Sequence, residues 1–147
     1  MTEIIMSVEN SPLIKVPQSP PHIRTDRFIT KAVCHHAALM AKDVNAAAIS
    51  MLTNSGYAAF QISAWRPTSH ILAFSSERRI LNKMSLLWGV KPIFYDKNLS
   101  TDDTVVDINR IAKEKGFVKA NDYVINLTSM PLEAKGMVNT LRFSQIK

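Results

Sequence analysis

The stretch AAAISMLTNSGYAAFQISAWRPTSHILAFS, Ala46 to Ser75, decides the fold of this chain. Ala46 to Leu52 is a short apolar run of the kind that forms a buried strand, and it ends abruptly at the polar turn Thr53-Asn54-Ser55-Gly56. A helical pattern resumes at Tyr57 and runs to about Trp65, Arg66-Pro67 stops it, and His70 to Ser75 is apolar again. Strand, turn, helix, strand is the βαβ unit, which joins parallel strands through a right-handed crossover.

The same grammar extends in both directions. Downstream, Ser76-Glu77 leads into a helix with Ile80, Leu81, Met84 and Leu87 on one side, and Lys91 to Asp96 reads as a third strand. A helix from Asp102 to Lys115 carries Val105, Val106, Ile108, Ile111 and Ala112 and stops at Gly116, where glycine suits a left-handed cap. Asp122 to Thr128 is a fourth strand. Asn139 to Ile146 is a fifth, reached through the ten-residue loop SMPLEAKGMV without a helix, so it is predicted to run antiparallel to its predecessor. Upstream, Thr25 is placed to cap a helix over Asp26 to Asp43. Ser11 to Arg24 holds four of the seven prolines and reads as a linker, and Met1 to Asn10 reads as a short amphipathic helix with Ile4, Ile5 and Val8 on one face and nothing obvious to pack on. The predicted fold is a three-layer α/β/α sandwich around a mostly parallel sheet of about five strands, the last antiparallel.

Composition excludes several classes. At 147 residues, 46% hydrophobic and 20% charged, with four glycines and seven prolines, the chain is the size and make-up of one folded domain. No apolar run approaches the roughly 18 residues of a membrane span, and the first ten residues lack the features of a secretory signal. With Cys34 as the single cysteine, no internal disulfide can form, and a cytoplasmic location is expected. Lys and Arg outnumber Asp and Glu by 18 to 12, but they are scattered and not interleaved with aromatics, so solvated surface is favoured over nucleic-acid binding. His22, His35, His36 and His70 show no metal-ligand spacing, and no nucleophile is singled out by its neighbours.

Ligands of such sheets bind beyond the carboxyl ends of the strands, which directs attention to the loops after Leu52, Ser75, Asp96 and Thr128. The turn Thr53 to Gly56 is the best candidate: amides at a helix start attract anions, two hydroxyls and an amide side chain add donors, and Gly56 would allow close approach. Plain helix capping by Asn54 or Ser55 explains the same residues equally well. The loop Ser129 to Val138, with Lys135 and Gly136, could fold over whatever the first loop holds, or be an ordinary connection.

Three separated segments carry a family likeness: Ala46 to Ser75 as quoted, KGFVKANDYVINLTSMP (Lys115 to Pro131) and VNTLRF (Val138 to Phe143). Together they resemble the C-terminal domain of pyruvate kinase, through a strand ending in T-x-S-G, an Arg-Pro turn before an apolar strand, a Gly-Phe before a strand ending in Leu-Thr, and a closing Asn-Thr. The likeness covers residues 25–147, and residues 1–24 look like the end of the last helix of a catalytic barrel followed by a linker. It implies a parent several times longer, transferring phosphoryl from phosphoenolpyruvate to ADP in glycolysis with magnesium and potassium. This domain would carry no catalytic residue, metal or cofactor, and would be inactive alone.

The resemblance also implies a regulatory, tetramer-forming domain that takes a phosphorylated effector at Thr53, Asn54, Ser55, Gly56, Tyr57 and Ala58 and at Lys135 and Gly136. Members that respond to fructose 1,6-bisphosphate have Arg and Ser or Thr where this chain has Tyr57 and Ala58, and the arginine for the second phosphate falls near Thr104. Lost charge and a lost hydroxyl shift the expectation to AMP, ribose 5-phosphate or glucose 6-phosphate, or to no effector. Two alternatives stand beside this reading: a stand-alone module for a small phosphorylated metabolite, and a purely structural assembly domain using the strand Asn139 to Ile146 as an open edge.

Overall fold

The computed structural model describes residues 1–11, 27–130 and 137–147. The expected cap at Thr25, nearly all of the proline linker, and Lys135 and Gly136 lie outside the described residues. The elements run α1 (Thr2–Glu9), α2 (Phe28–Asp43), β1 (Ala48–Leu52), α3 (Tyr57–Ala64), β2 (His70–Ser75), α4 (Arg78–Met84), β3 (Val90–Phe94), α5 (Thr101–Glu114), β4 (Tyr123–Thr128) and β5 (Thr140–Gln145).

The five strands form one sheet in the order β3-β2-β1-β4-β5, parallel throughout except for the antiparallel pair β4–β5. Alternation along the strands splits the core into two layers. Ile49 and Met51 of β1, Ile71 and Ala73 of β2, and Ile125 and Leu127 of β4 face α2, α3 and α4, whose Cys34, Ala37, Ala41, Ala58, Ala59, Ile62 and Met84 complete that layer. Ala48, Leu72, Phe74, Ile93 and Val124 face the other way, onto Ile108 and Ala112 of α5. The small residues on α2 and α3 let the two helices lie close over the sheet centre.

The α5 face is not wholly apolar. Ser50 and Asn126, both fully buried, sit side by side in the β1–β4 register. The Asn126 Nδ2 donates to Ser50 Oγ at 2.6 Å and to Asn109 Oδ1 of α5 at 2.8 Å, while Ser144 Oγ of β5 donates to Asn126 Oδ1 at 2.6 Å. One amide thus ties three strands and a helix together, with its donor and acceptor sides both satisfied.

Element boundaries differ slightly from the sequence reading. The third strand starts at Val90 and ends at Phe94, ahead of the expected Lys91 to Asp96. The helix expected from Asp102 starts at Thr101 because Ser100 caps it, its Oγ accepting from Asp103 N at 3.2 Å. Gly116, at φ +78°, follows the end of α5 as expected. Helix α1 forms and buries none of its side chains, leaving Ile4, Ile5, Met6 and Val8 exposed.

Candidate functional site at the strand switch

The chain leaves β1 toward β2 on one side and returns from β3 to β4 on the other, so β1 and β4 flank the point where the winding reverses. Beyond their carboxyl ends no crossover fills the gap, and a crevice results. Its lining combines Thr53, Asn54, Ser55, Tyr57 and Ala58 after β1 with Ser129, Met137 and Val138 from the β4–β5 connection and Thr30 from α2. The crevice is open to solvent, with a cavity volume of about 30 Å³. A phosphoryl-sized group would therefore sit in its mouth.

The local geometry starts with Thr53. Its amide donates to Phe74 O at 2.9 Å, extending the sheet by one residue, and its Oγ1 turns back to accept from Gly56 N at 2.9 Å. That bond folds the turn and leaves Gly56 at φ +77° as the N-cap of α3. No side chain caps this helix, so the expected capping by Asn54 or Ser55 is not what holds it. Tyr57 N reaches Ser55 Oγ only at 3.4 Å. Asn54 and Ser55 are exposed, with their polar groups presented to solvent beside the positive end of α3.

Gly56 plays a different part from the one expected. A Cβ there would meet Ile80 Cγ2 and Met84 Cγ at 3.3 Å, so the residue brings the turn against α4 and is absent from the crevice lining. Thr30 is a lining residue that no local pattern singles out. Its Oγ1 donates to Val138 O at 3.1 Å across 108 positions, closing one wall of the crevice. Thr104, the position nearest the missing arginine, is buried at the start of α5 and does not line the crevice. None of the described lining residues is charged; the nearby Arg27 guanidinium lies over the Tyr57 ring at 4.5 Å.

A larger groove, about 620 Å³, runs between α5 and β5 past Val106, Arg110, Lys113, Arg142 and Phe143. Three of its four cations are committed: Arg110 to Asp107 and Glu114 at 2.5 Å each, Arg142 to Asp102, and Lys113 to the main-chain oxygen of Lys147 at 2.6 Å. Hydrogen bonds from Lys97 and Arg110 hold the Asp107 carboxyl down to about 2. These pairs fasten α5, and the anion-accepting features lie at the switch crevice.

A doubly wound sheet with a hydroxyl-lined crevice at its switch point defines an α/β domain of the doubly wound class. Residues 31–143 match the family model described as "Pyruvate kinase, alpha/beta domain", and the chain belongs to that family. It is 32% identical over 118 residues to a pyruvate kinase of Lactobacillus delbrueckii subsp. bulgaricus, covering 80% of this chain and 20% of that one. Against a pyruvate kinase of Clostridium acetobutylicum it is 30% identical over 123 residues, covering 84% and 25%. The crystal structure of a Cryptosporidium parvum pyruvate kinase superposes with a TM-score of 0.75 at 21% identity, over 86% of this chain and 24% of that one, a likeness of fold. The chain thus spans a fifth to a quarter of the length of these relatives. Among the described residues no three His, Cys, Asp or Glu side chains cluster as metal ligands.

Proposed function

We propose that this chain is the regulatory and assembly domain of a cytoplasmic pyruvate kinase, whose whole protein passes phosphoryl from phosphoenolpyruvate to ADP with magnesium and potassium held elsewhere. The observation that carries the regulatory part is the convergence of Thr53, Asn54, Ser55, Thr30 and Ser129 on the switch crevice. Hydroxyls and free amides at a helix start can hold one phosphate. Among the described residues the lining carries no charge, which supports a monophosphate such as AMP, ribose 5-phosphate or glucose 6-phosphate ahead of fructose 1,6-bisphosphate with its second dianion. Lys135 and Gly136 are assigned to the same ligand from the family likeness.

Assembly rests on a separate feature. Among the described residues strand β5 pairs with β4 alone, so its other edge offers backbone groups to a neighbour, and Phe143 is 46% exposed beside it. A second copy of the chain is the proposed neighbour, within a homotetramer of the parent. The exposed apolar side chains of α1 likewise support a contact with a preceding domain.

A thermal-shift titration with AMP, the two sugar monophosphates, fructose 1,6-bisphosphate and inorganic phosphate tests the ligand. At 100 times its dissociation constant a ligand stabilises by about 2.7 kcal/mol, or roughly 5–10 °C at this chain length. A monophosphate should give that shift and Ser55→Ala should reduce it. Absence of any shift leaves assembly as the domain's role.

A further inference from the structure

His35 lies on the inner side of α2, 4% exposed, with its ring 4.3 Å from that of Trp65, the residue ending α3. Its Nδ1 has no hydrogen-bond partner among the described residues. Here an ionisable ring is used as a packing surface, at the seam between two helices that lie close together.

Among the described residues the surroundings offer nothing to a positive charge. Of the elements packed on α2, β1 carries no ionisable side chain, α3 carries Tyr57, β4 carries Tyr123 and β5 carries Arg142. Tyr57 lies under Arg27, Tyr123 lies against Phe143, and Arg142 is paired with Asp102. Arg66, next to Trp65, has its guanidinium over Trp88. On α2 itself the Cys34 thiol faces Ala58 O at 3.9 Å, His36 stands 5.2 Å from His35, and Lys31 and Lys42 add only positive charge. The one carboxylate of that helix, Asp43, is eight residues along, about 12 Å.

We propose that His35 is an acid-sensitive latch: neutral, it seats α2 on α3 against Trp65; protonated, it leaves that seat and frees α2, with Thr30 and its bond to Val138, from one wall of the crevice. The latch is independent of any ligand and goes beyond the proposed regulatory role. Burial, and secondarily His36, lowers the His35 pKa from its ordinary 6.5. The unfolded chain then binds the proton more readily, so the stabilisation is complete above pH 6.5 and declines as pH falls through the lower folded value.

Indole fluorescence reads the seat directly, because Trp65 becomes more exposed to water when the His35 ring leaves it and its emission maximum then moves to longer wavelength. In a Trp88→Phe background, the Trp65 emission maximum of the full chain should shift to the red sigmoidally as pH falls, with a midpoint below 6.5. His35→Gln should abolish that titration, and His36→Gln should move its midpoint upward. Hydrogen-exchange protection in α2 should drop about threefold to tenfold between pH 7 and pH 5.5, with α5 nearly unchanged. If His35→Gln does not fold, the direction of the His36→Gln shift and the α2 protection still decide. An unaltered titration in His35→Gln, a midpoint at or above 6.5, or α2 protection that ignores pH would overturn the latch.

Discussion

Two buried residues carry more of this structure than their size suggests. Asn126 meets β1, β5 and α5 through one amide. Asn126→Ala would leave the fully buried Ser50 without its partner, take a bond each from the half-buried Asn109 and Ser144, and leave a void, so urea unfolding should show a loss of about 2–4 kcal/mol. Gly56→Ala should lose about 1–2 kcal/mol from its positive φ, with further strain against Ile80 and Met84, and calorimetry should register a lower Tm. Neither role could be read locally. An asparagine inside YVINLT looks like an interruption of an apolar strand, and a glycine after T-x-S looks like a ligand-approach glycine. Only the packing shows that the first is bonded on both sides and the second touches α4.

The elements were legible because their periods are clean. All five strands begin and end within about two residues of where the apolar runs place them, and the antiparallel turn of β5 follows from a loop too short for a crossover helix. What the pattern could not supply is which helix covers which face, since α2, α3 and α4 share one side and α5 alone covers the other. Helix α5 is fastened at its start by Ser100 and along its outer side by Asp107. Ser100→Ala should cost about 1 kcal/mol in chemical denaturation. Asp107, held at about 2, stabilises the fold above the ordinary carboxylate range and loses that contribution as pH falls toward 2. Asp107→Asn should therefore lie below the native chain in stability at pH 7 and converge with it at pH 2 to 3, as Tm measured across that range would reveal.

At the scale of the whole molecule, the crevice exists because the winding reverses between β1 and β4. The turn at Thr53 was visible in the sequence. Thr30, 23 residues earlier on α2, was not, since its role depends on a bond to Val138 at the far end of the chain. The free edge of β5 makes a further prediction. Phe143→Lys places a charge at the exposed edge and should shift sedimentation toward smaller species if copies pair there, while circular dichroism remains native.

The strand order also has a kinetic side. The strands β1, β2 and β3 pair with near neighbours in sequence, as do β4 and β5, yet the joint between these two halves brings Ser50 to Asn126 across 76 positions. Closing a loop of that length is the entropically costly step, so the two halves should act as separate cooperative units and the β1–β4 seam should form last. The crevice sits at the end of that seam. Anything bound there would report on completed folding, and would slow the parting of the two halves more than the fraying of either one.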